Sequence, residues 1–333
     1  MTYGLTRRAM MAAVALSAIV WAGSAAAQTR WDLAAPWGPT EFHTKNLETF
    51  AEKVKEVTKG EVLISVKAGG QLGIKGPESL RAARDGIVPL IDMSLPQQVG
   101  DEPVLGFDAL PYLADNFDEL KLAQSLVMAD YEKVFAKHNQ KLLYMVPWPN
   151  IYIFSKKPVK TLADLKGQKM RTFDKNSTDL MTKLGMTPVQ LVIADVVPAL
   201  ASGGLDATST SAGTAAAQKY WEFTKFAYQT NHGWTTNGLV VNLDAWKKLK
   251  PEHQAAIEKL AKELQPQFWD IAKAEDAKAS ALLRQNGMTV EMADPAMITE
   301  MRKVAIPLWD DFAKNVGGTV PAALAEYRAK TRK

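Results

Sequence analysis

Apolar residues along this chain keep switching between two spacings. Val62, Ile64 and Val66 recur at every second position of Glu61–Lys67, which predicts a strand with one buried face. Just before it, Phe42, Leu47, Phe50, Val54 and Val57 form one stripe at helical steps, a helix capped by Thr40 and stopped at Gly60. Trp31–Ala35 reads as a first short strand, broken by Pro36-Trp37-Gly38-Pro39. Gly69-Gly70-Gln71-Leu72-Gly73 reads as a turn that needs positive φ, and Glu78–Arg84 as a helix closed by Gly86. Strand followed by helix, repeated, predicts an α/β fold on a mainly parallel sheet.

The same alternation continues downstream. Leu142–Val146, Ile151–Ser155, Lys169–Phe173, Asp206–Ser211, Gly238–Asn242 and Met288–Met292 are expected strands. Thr161 and Asp164 have capping-box spacing, Ser177–Leu184 and Ala212–Phe223 read as helices, and two helices finish the chain. Pro251–Gln285 is helical almost throughout, with a kink expected at Pro266. The breaks at Pro147-Trp148-Pro149 and at His232–Asn237 look like crossings between two lobes, which would leave a cleft between them. Such interfaces are favoured places for small-molecule sites. The expected division is lobe I over residues 28–149 and 236–265, and lobe II over 150–235 and 266–333.

The N-terminus changes the picture. Arg7 and Arg8, the apolar run Ala9–Trp21 and the small residues Ala25, Ala26 and Ala27 have the order of a cleavable secretory signal over Met1–Ala27. The apolar run is shorter than the ~20 residues of a membrane span, so an exported chain without stable membrane insertion is expected, starting near Gln28. Thr6-Arg7-Arg8 leaves the twin-arginine route open beside the general one. Loss of Arg7 and Arg8 from 40 basic residues, against 36 acidic ones, leaves a net charge of about +2. That balance argues against a nucleic-acid partner. There is no cysteine, which excludes thiol nucleophiles and thiolate metal sites, and the four histidines lack metal-binding spacing. No metal or cofactor is expected.

Enzyme signatures are missing: there is no G-x-S-x-G elbow, no Walker sequence and no dinucleotide fingerprint. Arg171 stands out, since an arginine inside a mostly buried strand needs a partner. Its planar fork suits a ligand carboxylate, but a structural bridge to a buried acid would satisfy it equally. Trp37, Trp148 and Trp234 each lie beside proline or glycine at a strand break, where aromatics often line pockets and often simply pack a core.

Four segments in this order and spacing carry a resemblance over essentially the whole chain after residue 27. They are Gly69-Gly70-Gln71-Leu72-Gly73; Phe107-Asp108-Ala109-Leu110-Pro111-Tyr112-Leu113; Leu162-Ala163-Asp164-Leu165-Lys166-Gly167 with Lys169-Met170-Arg171; and Gln218-Lys219-Tyr220-Trp221-Glu222. The chain resembles the periplasmic solute-binding proteins of TRAP (tripartite ATP-independent periplasmic) transporters. The resemblance implies a two-lobed periplasmic binding-protein fold with interlobe crossing strands, a long bracing helix and closure by hinge motion. It also implies that Arg171 grips a ligand carboxylate, and that the loaded receptor, a monomer, meets TRAP membrane permease subunits.

Two departures bear on the ligand. Members that bind dicarboxylates or sialic acid often carry a second arginine where this chain has Ile151, and Thr210 stands where many members have asparagine. One cation among many aromatics suggests a monocarboxylate, such as an aromatic or 2-oxo acid, over a C4-dicarboxylate or sugar acid. The expected site is Arg171 with Trp37, Trp148 and Trp234 around the ligand body, and Thr208, Ser209, Thr210, Asn150 and Asn237 supplying further hydrogen bonds. A periplasmic enzyme would need a nucleophile or base that the sequence does not offer. A receptor presenting its ligand to a sensor protein is not separable from a transport receptor at this level.

Overall fold

The structure, a computed structural model, describes residues 28–333. The leader expected over Met1–Ala27 lies outside the described residues. Among the described residues, eleven strands form two sheets. The first holds β1 (Thr29–Ala34), β2 (Val62–Lys67), β3 (Leu90–Ser94), β4 (Gln140–Pro147) and, from much later in the chain, β10 (Thr236–Asn242), in the order β2-β1-β3-β10-β4. The second holds β5 (Ile151–Ser155), β6 (Lys169–Thr172), β7 (Thr187–Gln190), β8 (Ala207–Ser211), β9 (Phe226–Gln229) and β11 (Thr289–Met292), in the order β11-β9-β5-β8-β6-β7. Each sheet with its helices is one lobe.

Both sheets are mixed, not mainly parallel. β10 returns antiparallel to β3 and β4, and β5 runs antiparallel to β8 and β9. The reason is the crossing itself. β4 leaves the first sheet and, three residues later, enters the second as β5, while β9 crosses back to become β10. The crossing strands β5 and β10 therefore meet neighbours running the other way, whereas β9 keeps a parallel neighbour in β11. Trp148 N donates to Thr235 O at 2.7 Å and so ties the two crossings together.

The helix Pro251–Gln285 spans both lobes. Its first half packs on β4 and the helix Phe42–Val57, its second half on the helix Ala212–Ala217 and β11. Gln265 and Trp269, on either side of Pro266, hold the backbone N–H and C=O of Met145 at 2.9 and 2.8 Å. Further along, Tyr152 donates to Asp276 at 3.1 Å from the second sheet. A third tie is Tyr112, whose hydroxyl donates to Thr230 O and whose amide donates to His232 O, both in the returning crossing.

Several local expectations need adjusting. The helix at residue 42 begins after Glu41 rather than on a Thr40 cap, and the helix expected from Ser177 starts two residues earlier, at Lys175, capped by Asp174. Ala212–Phe223 is not one helix: it ends at Ala217, because Lys219 takes a left-handed conformation (φ 54°) before a short 3-10 turn. The glycine loop behaves as read. Gly69 and Gly70 have φ of +65° and +73°, a region costing L-residues about 1–2 kcal/mol. That conformation lets Gly69 N donate to Trp37 O at 2.6 Å and Gly70 N to Ala35 O at 3.1 Å. The loop thereby fixes the segment that carries Trp37.

Candidate ligand-binding cleft

The ends of the two sheets face each other across a small cavity. Its walls include Trp37, Ser94, Gln97 and Thr235 from the first lobe, Trp148 from the crossing, and Ile151, Arg171, Phe173, Thr210 and Thr214 from the second. The volume is about 40 Å³, room for about three waters and well below the ~300–1,000 Å³ of ordinary ligand pockets. The two walls stand nearly closed on one another.

Arg171 is the only charged residue lining this cavity among the described residues. It is 2 % exposed. In β6 it registers against Thr208 of β8 and Val189 of β7, so the strand presents its guanidinium at the sheet end where β8 runs into the following helix. Nε and Nη2 donate to Leu191 O at 3.1 and 3.0 Å, and Nη1 donates to Ser209 O at 3.0 Å. All three acceptors are backbone carbonyls. A guanidinium has five N–H donors, so one on Nη1 and one on Nη2 are unspent. Its surface packs beside Phe173, 5.7 Å from the ring centroid. No carboxylate among the described residues forms an ion pair with it. Burial lowers its pKa, with the charges of Tyr220 and Asp174 partly opposing that shift. The salt-bridge alternative is thereby answered: this is a buried cation held by neutral dipoles, a costly arrangement that an incoming anion would relieve.

The aromatic wall is rigid. Trp37 and Trp148 meet edge to face with centroids 5.0 Å apart, and Phe42 and His43 pack on Trp148 at 5.4 and 4.3 Å. Trp148 Nε1 donates to Asn237 Oδ1 at 2.8 Å, while Trp37 Nε1 and Asn237 Nδ2 both donate to Asp92 Oδ2. Asp92 therefore anchors both tryptophans, one directly and one through Asn237. Burial pushes its carboxyl up to about 7, with Trp37 and Asn237 holding it lower than burial alone would. Glu41, at the head of the first helix, reaches across to Thr214 of the second lobe. Burial pushes it up to about 8, offset by Thr214 and reinforced by the charge of Glu275.

Of the nine residues singled out from sequence, Trp37, Trp148, Arg171 and Thr210 line the cavity. Asn237 stands behind the wall as the link from Trp148 to Asp92. Ser209 supports Arg171 through its carbonyl, and its hydroxyl meets His232 Nε2 at 2.8 Å. Thr208 is fully buried beside Tyr220, and Asn150 sits beside Asp276 of the long helix. Trp234 turns the other way: Nε1 donates to Ala114 O at 2.8 Å, and its ring packs on Phe117 in the first lobe's core. Alternation explains the miss, since a tryptophan pointing inward leaves its neighbour Thr235 facing the cavity. Ser94 and Gln97 carry no sequence signal, since β3, fully buried, shows no alternating pattern and Gln97 lies in the 3-10 turn Leu95–Gln98 beyond it. Phe173, two residues after Arg171, is legible as the next position on the same side of the strand.

Residues 33–315 match the family described as bacterial extracellular solute-binding protein, family 7 (DctP). The chain belongs to this family. Among its relatives is the C4-dicarboxylate-binding periplasmic protein DctP of Rhodobacter capsulatus, 28% identical over 297 residues, covering 86% of this chain and 87% of that one. Among solved structures, a Bordetella pertussis extracytoplasmic solute receptor binding pyroglutamic acid is 27% identical with a TM-score of 0.87, covering 90% of this chain and 99% of that one. A TRAP solute-binding protein from a marine metagenome, specific for pyroglutamate, is 29% identical with a TM-score of 0.86, covering 91% and 99%. The chain is thus a TRAP-type solute-binding receptor, not an enzyme, and the family is extracytoplasmic. No helix among the described residues is long and apolar enough to cross a membrane.

Proposed function

We propose that this receptor captures a small monocarboxylate between its lobes. Arg171 grips the carboxylate, and Trp37, Trp148, Phe173 and Ile151 hold the carbon body. The observation that carries this reading is a buried guanidinium on the cavity wall with two unspent N–H donors and no acidic partner. A carboxylate presents two oxygens at the spacing of that fork. The lobes must part to admit the acid and close around it by bending at the two crossings and the long helix. The loaded receptor then meets the permease subunits of a TRAP transporter. Its leader, Met1–Ala27, is removed on export to the periplasm.

The Rhodobacter relative favours a second reading, a C4-dicarboxylate. That ligand would bury a second carboxylate, and the position where a second arginine would answer it is Ile151, a cavity-lining residue 2 % exposed. Burying an unpaired carboxylate costs several kcal/mol, so the monocarboxylate is preferred. Calorimetry tests the clamp: Arg171→Ala weakens binding by about 2–5 kcal/mol, and Arg171→Lys, which lacks the fork, does not restore it. A thermal-shift comparison of pyroglutamate, 2-oxo acids and benzoate with succinate and glucuronate tests the class, because a ligand that binds the native state raises Tm. Unchanged affinity in folded Arg171→Ala refutes the clamp, and a larger shift with succinate refutes the monocarboxylate.

A further inference from the structure

The cavity holds a second set of polar groups that the clamp does not use. Ser94 Oγ and Thr235 Oγ1 both belong to cavity-lining residues, are buried at 1 % and 7 % exposure, and make no hydrogen bond. They lie in the first lobe, whereas Arg171 lies in the second. Ser94 ends β3 directly opposite Asn237 of β10, and Thr235 immediately precedes β10. Their backbone is pinned, Thr235 O by Trp148 N, and the neighbouring Asn237 has its amide committed to Asp92 and Trp148. Asn237 is therefore occupied, and the two hydroxyls are the fully buried groups of this wall left without a partner, beside the partly exposed Gln97. A buried hydroxyl without a partner is left desolvated with no hydrogen bond to offset it, a cost that a ligand oxygen or amide would remove.

We infer that Ser94 and Thr235 form a second polar subsite that selects monocarboxylates carrying one uncharged polar group (a ketone, hydroxyl or lactam) at the end away from the carboxylate. This rests on the monocarboxylate reading and refines it. Hydroxyls both donate and accept, so they match a carbonyl, an alcohol or an amide N–H equally well. A second carboxylate is disfavoured there, because no cation lines that wall. An entirely apolar tail is also disfavoured, because it leaves both hydroxyls buried and unpaired, the situation in which a site rejects an analogue most strongly.

The test uses calorimetry on the purified receptor with two matched pairs of acids, pyroglutamate against cyclopentanecarboxylate and levulinate against pentanoate. The wild type binds the oxygenated member of at least one pair tenfold or more tightly than its partner. In Ser94→Ala/Thr235→Val, which keeps side-chain volume nearly unchanged, that preference falls to threefold or less while the affinity for the deoxygenated member is retained. Thr235→Ser, which keeps the hydroxyl, preserves the preference. Equal wild-type affinity within both pairs overturns the subsite, as does a preference that survives in the double variant or an equal loss for both members. Binding of none of the four acids overturns the monocarboxylate reading itself, and the subsite falls with it.

Discussion

Glu41 and Asp92 are acids whose protonated forms the fold favours. Glu41 faces Thr214, Tyr220 and Glu275 with no basic partner, and Asp92 faces Trp37, Asn237 and Tyr144. Burial raises them to about 8 and about 7 from ordinary values of 4.5 and 3.8. A raised folded-state pKa means that the fold binds the proton more tightly than the unfolded chain does. The resulting stability is complete below about pH 4 and is lost as pH climbs through 7 and 8. Denaturation of the ligand-free protein is therefore expected to show stability falling from pH 5 to pH 9. Glu41→Gln, which mimics the protonated acid, should remove on the order of 4 kcal/mol of that fall. An unchanged slope in the variant would show that Glu41 ionises freely in the fold. His232 shifts in the opposite sense: burial lowers it to about 3, so it stays neutral between Ser209 and Thr230 throughout this range.

At the scale of elements, two of the conspicuous sequence motifs, Phe107–Leu113 and the Gly69–Gly73 loop, act as fasteners. Asp108, within Phe107–Leu113, accepts hydrogen bonds from Gln124, Thr236 and Tyr131 and ties a 3-10 segment to the helix Phe117–Lys137 and to β10. The Gly69–Gly73 loop fastens the backbone at Trp37. Gly69→Ala forces a side chain into a left-handed conformation and should cost about 1–2 kcal/mol in urea denaturation. Gly100→Ala, at ordinary φ with nothing near the added methyl, serves as the neutral control. Equal effects of the two substitutions would mean that the loop relaxes without strain. The elements hardest to read from sequence each have a physical cause. β3 is buried on both faces and lacks alternation, and β7, a four-residue edge strand, contains Pro188, which reads as a breaker. Ala212–Phe223 read as continuous helix because its break lies in the backbone of Lys219, a residue type that does not announce a left-handed turn.

At the scale of the molecule, the ties across the lobes define where it bends. The crossings at 148–150 and 230–235 are locked to one another by Trp148 and Thr235, and the long helix grips both sheets around Pro266. The two C-terminal helices span the lobes as well: Pro295–Val316 packs on the helix Lys175–Lys183, and Val320–Thr331 on Phe117–Lys137. Because the cleft holds only about 40 Å³, a ligand enters only through an opened form. Small-angle scattering on the ligand-free receptor is expected to give a larger radius of gyration than this structure, and a saturating ligand should bring it down. Identical values with and without ligand would argue against hinge closure.

Local periodicity, with no tertiary information, determined most of the strands and helices and the two crossings, the burial expected of its strand singled out Arg171, and the resemblance of four motif segments pointed to the family. These follow from period and motif order, which are properties of the chain itself. Only the tertiary structure decided what Arg171 touches, because Leu191 and Ser209 reach it through backbone carbonyls that carry no sequence signature. It also decided which neighbour at each strand end faces the cleft, turning Trp234 into the core and Thr235 towards the cavity. A one-residue alternation is settled by register against β3 and β4. The hydroxyls of Ser94 and Thr235 become informative only once packing removes every other partner for them, and that is a property of the folded molecule alone.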